Sequence, residues 1–179
     1  METTLYFADY FHRGQCLTLL ASSRGLCFLA LPHERAQAIA EFVSGHRIQH
    51  LKENPPLLAP YLEQLDEYFH GDRHVFTVPL DILSGTPFQR QVWETLRRIP
   101  FGHTRSYADV ASAAGYPRAS RAVGTAVSKN PIAIMIPCHR VIGSNGTLTG
   151  FAGGLNLKQH LLELEGVRVN PRGHAKYAF

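Results

Sequence analysis

A close succession of helix start and stop signals in the second half of the chain does most to narrow the possible folds. Thr86 can cap the first helix, and Pro87 suits its first position, where no backbone N–H is needed. Pro100 ends it, because proline cannot continue a helix. Between these signals lies an apolar stripe at helical spacing. The stripe consists of Phe88, Val92, Trp93, Leu96 and Ile99.

Two shorter helices are predicted next. Ser106 and Asp109 form a capping pair for a helix that runs to about residue 114, and Gly115 can end it in a left-handed conformation. Pro117 can start another helix, which runs to about Lys129. Two short helices joined by a turn that contains glycine predict a helix-turn-helix, although two helices that simply pack together give the same pattern.

The first half predicts a small α/β domain with a short antiparallel sheet. We expect it to end near residues 81–85, which divides the chain into an N-terminal support domain, 1–83, and a mainly helical C-terminal domain, 84–179. The fold class is therefore α/β, of the α+β kind. The predicted elements of the first half are strands at 16–20, 26–31 and 75–80 and helices at 33–44 and 57–69.

Charge is divided unevenly between the halves. Residues 1–85 contain six Lys and Arg against ten Asp and Glu, a net charge of −4, whereas residues 86–179 contain twelve against four, a net charge of +8. A basic half of this size predicts contact with a polyanion, and solubility is the plainer alternative.

Several other classes of protein are not expected. No apolar run approaches the roughly 18 residues of a membrane span, and the first residues do not form a signal peptide. The three cysteines, Cys16, Cys27 and Cys138, lack the paired spacing of a disulfide framework. No zinc-binding spacing is present either, so we expect no metal site. The sequence indicates a soluble intracellular protein.

The helix predicted after Pro117 has an unusual composition. Residues 119–126 are nearly all small apart from Arg121. Such a helix can approach a nucleic-acid backbone very closely, but small residues are equally natural in a tightly packed internal helix. Arg121 favours the first interpretation, since a lone arginine is costly to bury without a partner.

One cysteine stands at the end of an apolar run. Residues 132–136 predict a buried strand that leads into Pro137 and Cys138. The next residues, His139 and Arg140, are both able to favour a thiolate, although a structural cysteine explains the pair equally well. Neighbours in an extended segment point opposite ways, so contact between the thiol and His139 requires a local bend or a bridging water, and we favour the water.

Other residues flank this segment. Asn130 precedes Pro131 and can tie the end of a helix to the cysteine turn, unless it belongs to an ordinary Asn-Pro loop. Residues 150–154 form a glycine-rich loop with accessible amides, and Asn156 can cap a last helix. Glu165 ends that helix and opposes its dipole, which points modestly to function; an exposed glutamate is the alternative.

Taken in order, these motifs resemble the O6-alkylguanine-DNA alkyltransferases, in their stand-alone bacterial form. The resemblance is close over about residues 84–167, whereas the first 83 residues match only in general style. It implies a bacterial, cytoplasmic location. The matching motifs are Asn130-Pro131, Ile136-Pro137-Cys138-His139-Arg140-Val141, Gly85-Thr86-Pro87-Phe88-Gln89, Ile99-Pro100-Phe101-Gly102, Ser106-Tyr107, Arg121-Ala122-Val123-Gly124, and Gly153-Gly154 through Glu165-Gly166.

The resemblance implies DNA repair in which Cys138 accepts an alkyl group from O6 of guanine, once and irreversibly, without a cofactor. His139 would act as the base through a water, and Glu165 would orient it. Asn130 would fix the active-site turn. Tyr107 would donate a proton to guanine N3.

The resemblance also implies double-stranded DNA as the partner, bound through the minor groove with little sequence specificity. Arg121 would hold the place of a flipped-out nucleotide. The Val141 carbonyl and the amides around Cys138 and Ala152 would recognise the guanine edge. Phe151 and Ala152 stand where some relatives have Tyr and Ser, so recognition of O6 leans on backbone amides. The small residues expected at the DNA are Ala119, Ser120, Ala122, Gly124 and Thr125.

Some properties stay open at this point. We expect a monomer, but the sequence does not decide cooperativity on DNA, the preferred alkyl group or activity on O4-methylthymine. The zinc site of some animal relatives has no counterpart. Two rival functions remain: a lesion-binding protein without repair activity, against which Cys138 argues, and a cysteine hydrolase, which leaves the basic half unexplained.

Overall fold

The computed structural model describes residues 3–33 and 35–175. The chain forms two compact units, Met1–Ser84 and Gly85–Phe179. The first is built from a sheet and two helices and the second is mainly helical, which confirms the expected fold class. No helix in the described ranges is long and apolar enough to cross a membrane.

The first unit contains a four-stranded sheet in the order β3-β2-β1-β4. Neighbouring strands among the first three are antiparallel, but β4 runs parallel to β1, so the expected antiparallel sheet is in fact mixed. The strands are β1 Thr4–His12, β2 Gln15–Ala21, β3 Leu26–Ala30 and β4 His50–Glu53, and the helices are α1 Arg35–Gly45 and α2 Pro55–His70.

The strand expected at residues 75–80 is wrong. Only a single bridge forms there, between Leu80 and Leu26. The Leu26 N–H donates to the Pro79 carbonyl at 3.0 Å, and the Asp81 N–H donates to the Leu26 carbonyl at 2.8 Å. Pro79 has no N–H for a continuing ladder, which explains why the pairing stops.

Apolar side chains hold the sheet to its helices. Leu5, Leu20 and Cys27 from the strands pack with Phe42 of α1 and with Ile48 in a buried cluster. On the other helix, α2, the predicted periodicity is confirmed, because its buried residues follow helical spacing. Those residues are Leu58, Tyr61, Leu65, Tyr68 and Phe69.

The second unit begins with the predicted capping signals. Thr86 and Gln89 form a complete capping box at the start of its first helix, and Ser106 and Asp109 form another two elements later. Gly115 has φ +87°, the left-handed conformation expected after a helix. The elements are α3 Pro87–Arg97, β5 Arg105–Ser106, α4 Tyr107–Ala113, α5 Ser120–Ser128, β6 Val141–Ile142 and α6 Leu155–Leu164.

Two predicted helix starts are wrong. The helix expected from Pro117 begins at Ser120, because the preceding residues form a turn that the Ala119 N–H closes onto the Tyr116 carbonyl at 2.9 Å. Asn156 lies inside α6 rather than at its cap. Gly154 occupies the cap position with φ +83°, a conformation that glycine adopts without strain.

Candidate active site

The apolar residues 132–136 form a tight turn rather than the expected strand. The Ile136 N–H donates to the Ile132 carbonyl at 2.9 Å, and the Met135 N–H donates to the Ala133 carbonyl at 3.0 Å. Ile134 has φ +73°, which is a rare conformation for a β-branched residue. All five side chains are buried. The turn brings the chain back sharply just before the cysteine.

Asn130 closes this turn from outside. Its side-chain oxygen accepts from the Ile132 N–H at 3.0 Å, and its side-chain nitrogen donates to the Ile136 carbonyl at 2.7 Å. Its own N–H donates to the Val127 carbonyl, at the end of α5, at 3.2 Å. Asn130 therefore ties the helix end to the cysteine turn, through its backbone on one side and its side chain on the other.

Cys138 is the first residue of a short 3-10 helix, Cys138–Arg140, and is only 6% exposed. Burial raises the pKa of its thiol, although a hydrogen bond from Asn130 and the charge of Lys158 oppose the rise. The resting sulfur is therefore a protonated thiol. Arg140, which follows in the same turn, directs its guanidinium to Glu165 and to the Ile99 carbonyl.

His139 and Glu165 form a buried pair. The distance between His139 Nε2 and Glu165 Oε1 is 2.7 Å, and both side chains are fully buried. Burial lowers the pKa of His139, and the neighbouring carboxylate only partly offsets this effect. The imidazole is therefore neutral at pH 7 and able to accept a proton. The alternative of an exposed Glu165 is excluded.

Arg140 grips the same carboxylate with two nitrogens. Its Nε donates to Glu165 Oε2 at 2.8 Å and its Nη2 donates to Oε1 at 3.0 Å, while Nη1 donates to the Ile99 carbonyl at 2.6 Å. Burial alone would raise the pKa of Glu165, but His139 and Arg140 together hold it well below its usual range. Because a guanidinium is always charged, Arg140 keeps Glu165 ionised while His139 is neutral.

Lys158 is a functional candidate that the sequence did not reveal. It lies in α6, is 0% exposed, and donates from Nζ to the Val141 carbonyl at 2.6 Å and to the Thr149 carbonyl at 3.0 Å. Burial lowers its pKa to about 8, opposed by the nearby Cys138. No sequence signal marks it, because a lysine in a helix is usually exposed.

The residues expected to contact guanine come from α4, from β6 and from the loop between β6 and α6. Tyr107, in the first turn of α4, shares a hydrogen bond of 2.7 Å between its hydroxyl and that of Thr149. Phe151 is half-buried and Ala152 is exposed. The Val141 carbonyl, expected to contact guanine, is already bound by Lys158.

The helix expected to contact DNA, α5, has two different faces. Val123, Ala126 and Val127 are buried, and the Ala126 carbonyl accepts from Trp93 Nε1 at 2.8 Å. A Cβ at Gly124 would lie 3.8 Å from the Tyr107 ring, so that position faces the protein. The helix is thus tightly packed on one face, while its other face presents small residues around an arginine. Arg121, Ala122 and Thr125 are exposed there, and Ala119 and Ser120 are half-buried beside them.

The arrangement supports nucleophilic chemistry. A buried thiol precedes a neutral imidazole that is hydrogen-bonded to an ionised carboxylate, and groups of these three kinds can supply the nucleophile, base and orienter of covalent catalysis. Asn130 joins the cysteine turn to the end of α5, the helix with small exposed residues. Within residues 3–33 and 35–175, no three His, Cys, Asp or Glu side chains are grouped to hold a metal ion. Fold and site together define a class of protein with a sheet-containing first unit, a helix-turn-helix in the second unit, and a buried cysteine suited to covalent chemistry.

Comparison with known proteins gives the family. Residues 87–167 match the model of the 6-O-methylguanine DNA methyltransferase DNA-binding domain, and residues 14–82 match that of the ribonuclease-like domain of the same enzymes. This chain belongs to the methylated-DNA–protein-cysteine methyltransferase family, which confirms the resemblance found in the sequence and the enzyme class it implied. Membership also sets the hydrolase alternative aside.

Individual relatives agree. A methylated-DNA–protein-cysteine methyltransferase from Mycolicibacterium paratuberculosis is 55% identical over 113 residues, or 63% of this chain and 68% of the relative. The inducible enzyme of Bacillus subtilis is 39% identical over 92% of this chain and 94% of its own. A crystal structure of the Mycobacterium tuberculosis protein OGT in complex with DNA has a TM-score of 0.77 at 40% identity and covers 90% of this chain and 93% of its own.

Proposed function

We propose that this protein repairs O6-methylguanine in double-stranded DNA by moving the methyl group to the sulfur of its own Cys138, in a single turnover. The observation that carries the proposal is a buried pair formed by His139, the residue next to Cys138 in the chain, and Glu165, with 2.7 Å between Nε2 and Oε1. O4-methylthymine presents the same O-methyl chemistry on a smaller base, and the proposal extends to it as a second substrate.

The reaction begins with removal of the thiol proton. His139 donates a hydrogen bond from Nε2–H to Glu165, so the base function falls to Nδ1, which takes the proton of Cys138 through a water. The imidazolium that forms is stabilised by the ionised Glu165. Because burial keeps the thiol protonated at rest, this transfer is needed before the sulfur can attack.

The sulfur then attacks the methyl carbon in line with O6. An S–C bond forms and the C–O6 bond breaks, with its electron pair passing to the guanine. Tyr107 donates its phenolic proton to guanine N3 and neutralises the leaving base. The product is a thioether, and regenerating the thiol would need a second nucleophile to take the methyl group with the thiolate as leaving group, a step that has no counterpart in this reaction. The protein is therefore consumed by one methyl group.

The exposed face of α5 supports binding in the minor groove. Small side chains at Ala119, Ser120, Ala122 and Thr125 permit close approach to the sugar-phosphate backbone, and such contacts read shape rather than sequence. Gly124 contributes backbone alone, since its Cα faces Tyr107. The net charge of +8 on residues 86–179 supports attraction to phosphates.

A base inside the duplex must leave the stack to reach Cys138, at a cost of a few kcal/mol. We assign Arg121, exposed in the first turn of α5, to the space that the base vacates. The flipped guanine would meet the Val141 carbonyl and the backbone around Phe151 and Ala152.

The proposal also assigns a role to each part of the chain. Residues 1–83 support the fold, and residues 84–179 bind DNA and transfer the methyl group. The protein acts as a monomer. It works in the cytoplasm and associates with the nucleoid when it is bound to DNA. Contacts between neighbouring molecules on one duplex would add cooperativity.

Free O6-benzylguanine tests the reaction without DNA. After incubation, intact mass should show one benzyl group per protein, located on Cys138 by peptide mapping, with Cys16→Ala as the matched control that still reacts. Release of free guanine should reach one molecule per protein and then stop. Continued release of product without an adduct would overturn the proposal.

A further inference from the structure

Thr149 connects two parts of the site, and the mechanism above gives it no role. Its hydroxyl lies 2.7 Å from the Tyr107 hydroxyl, and its carbonyl accepts from Lys158 Nζ at 3.0 Å. It is half-buried, in the loop that follows β6. Through these two contacts it links the phenol of α4 to the buried ammonium of α6.

We propose that Thr149 is a positioning residue for methyl transfer, whose hydroxyl aims the Tyr107 phenol at the base and stabilises the phenolate that forms. The inference rests on the proposed function, because it needs Tyr107 to give its proton to the leaving guanine. It adds a group that does not itself touch the reacting atoms.

The direction of the hydrogen bond follows from counting protons. A phenol has one O–H, and a threonine hydroxyl has one O–H and two lone pairs. Either oxygen can donate across the 2.7 Å contact in the free protein. When Tyr107 turns its proton toward guanine N3, the contact persists only if Thr149 donates.

The contact strengthens as the reaction proceeds. The Tyr107 proton passes to N3 and leaves a phenolate, while Thr149 keeps its own proton and donates to a charged acceptor. Hydrogen bonds to charged groups are shorter and roughly twice as strong as neutral ones. Only an interaction that is stronger in the transition state accelerates the chemical step, and this one meets that condition.

The surroundings hold both partners in place. Lys158 binds the Thr149 and Val141 carbonyls together, so it fixes the backbone that carries the hydroxyl. Threonine is β-branched and stiff about its first side-chain bond. The Tyr107 ring lies next to Gly124 of α5, where a Cβ would stand 3.8 Å from two ring carbons. The hydroxyl pair is therefore preorganised before DNA binds.

The first test compares three variants on duplex DNA with one O6-methylguanine, under single-turnover conditions with saturating protein. Thr149→Val keeps the shape and removes the hydroxyl, so the transfer rate should fall by about tenfold to a hundredfold while DNA affinity stays within about twofold. Thr149→Ser should restore most of the rate. Thr147→Val is the matched control. The Thr147 hydroxyl donates to Asn145 rather than to Tyr107, so this variant should react like the parent.

A double-mutant cycle with Tyr107→Phe separates positioning from a general effect on the fold. Without the phenol, Thr149→Val should change the rate by less than about twofold. Equal losses in both backgrounds, or an unchanged rate in Thr149→Val alone, would overturn the inference. If Thr149→Val unfolds at a lower urea concentration, Thr149→Ala takes its place in the cycle. Failure of the parent protein to accept methyl would instead reject the proposed function.

Discussion

Glu165, whose side chain is fully buried, accepts hydrogen bonds from the side chains of His139 and Arg140 and from the Gly102 N–H at 3.1 Å. Glu165→Gln keeps the size and removes the charge, which leaves Arg140 as a buried cation without a carboxylate. Removing one partner of a buried ion pair costs about 3–5 kcal/mol. We expect the free energy of unfolding, measured in urea at pH 7, to fall by this amount.

Glu163→Gln is the matched control for that substitution. Glu163 lies two residues earlier, is exposed, and pairs with Gln159 at 2.8 Å on the surface of α6. Its loss should cost no more than about 0.5 kcal/mol. Equal stabilities of the two variants would show that the buried carboxylate does not hold the site together.

The lowered pKa of His139 predicts how methyl transfer depends on pH. Burial keeps the imidazole neutral, and so competent as a base, below the ordinary histidine pKa of about 6.5. The single-turnover rate should therefore persist as the pH falls from 7.5 to about 6.5 and decline only at lower pH. A midpoint at or above about 6.5 would contradict a neutral, buried His139.

The lowered pKa of Lys158 predicts that the free energy of unfolding rises with pH. Its folded pKa of about 8 lies below the unfolded value of 10.5, so the unfolded chain binds more protons between these two values. The free energy of unfolding should then gain up to about 3 kcal/mol over that range. Lys158→Met should lack this gain and Lys52→Met should keep it, both in a Cys138→Ser background that removes thiol titration. Parallel curves for both variants would exclude a buried ammonium.

At the level of elements, α5 combines a buried face with an exposed face of small residues. Ala122→Leu adds bulk to the exposed face, where no protein contact is lost. Affinity for unmodified duplex DNA should fall at least about tenfold, because close approach to the backbone is blocked, while stability stays within about 0.5 kcal/mol. Ala59→Leu, exposed on α2, is the control. Unchanged binding by Ala122→Leu would move the DNA contact away from this face.

Helix boundaries were predictable where one side chain decides them. Thr86 and Ser106 satisfy backbone N–H groups within three residues, so both caps could be inferred from the sequence alone. The strand β4 could not be predicted, because all four of its residues are exposed. Three of them are polar, so no alternation of apolar and polar residues marks the strand. The prediction that Asn156 caps α6 failed because the helix already begins at Leu155. Gly154 takes the cap position with a positive φ, which a side-chain capping pattern cannot reveal.

The candidate site was predictable in its residues but not in its contacts. The order of Asn130, Cys138, His139 and Glu165 along the chain could be matched to a family. The apolar run 132–136 looked like a strand because periodicity cannot show that Asn130 bonds both of its ends. The burial of Lys158 depends on carbonyls from two distant segments, which no local pattern encodes.

On the scale of the whole molecule, charge and sequence similarity divide the chain in the same way. The basic half, residues 86–179, contains the match to the DNA-binding domain at 87–167, and the acidic half contains the match to the ribonuclease-like domain at 14–82. The charge division follows from residue counts alone, since it needs no knowledge of which side chains meet. The role of the second unit depends on whether its buried sulfur accepts the methyl group.

Duplex DNA with a single O6-methylguanine, radiolabelled in its methyl group, tests this most directly. Incubated with equimolar protein, it should pass one label to each molecule of the parent protein, on the peptide that contains Cys138, and leave ordinary guanine in the strand. Cys138→Ala should bind the same duplex and take no label. Label that stays on the DNA, or that appears on Cys16 or Cys27, would contradict the account.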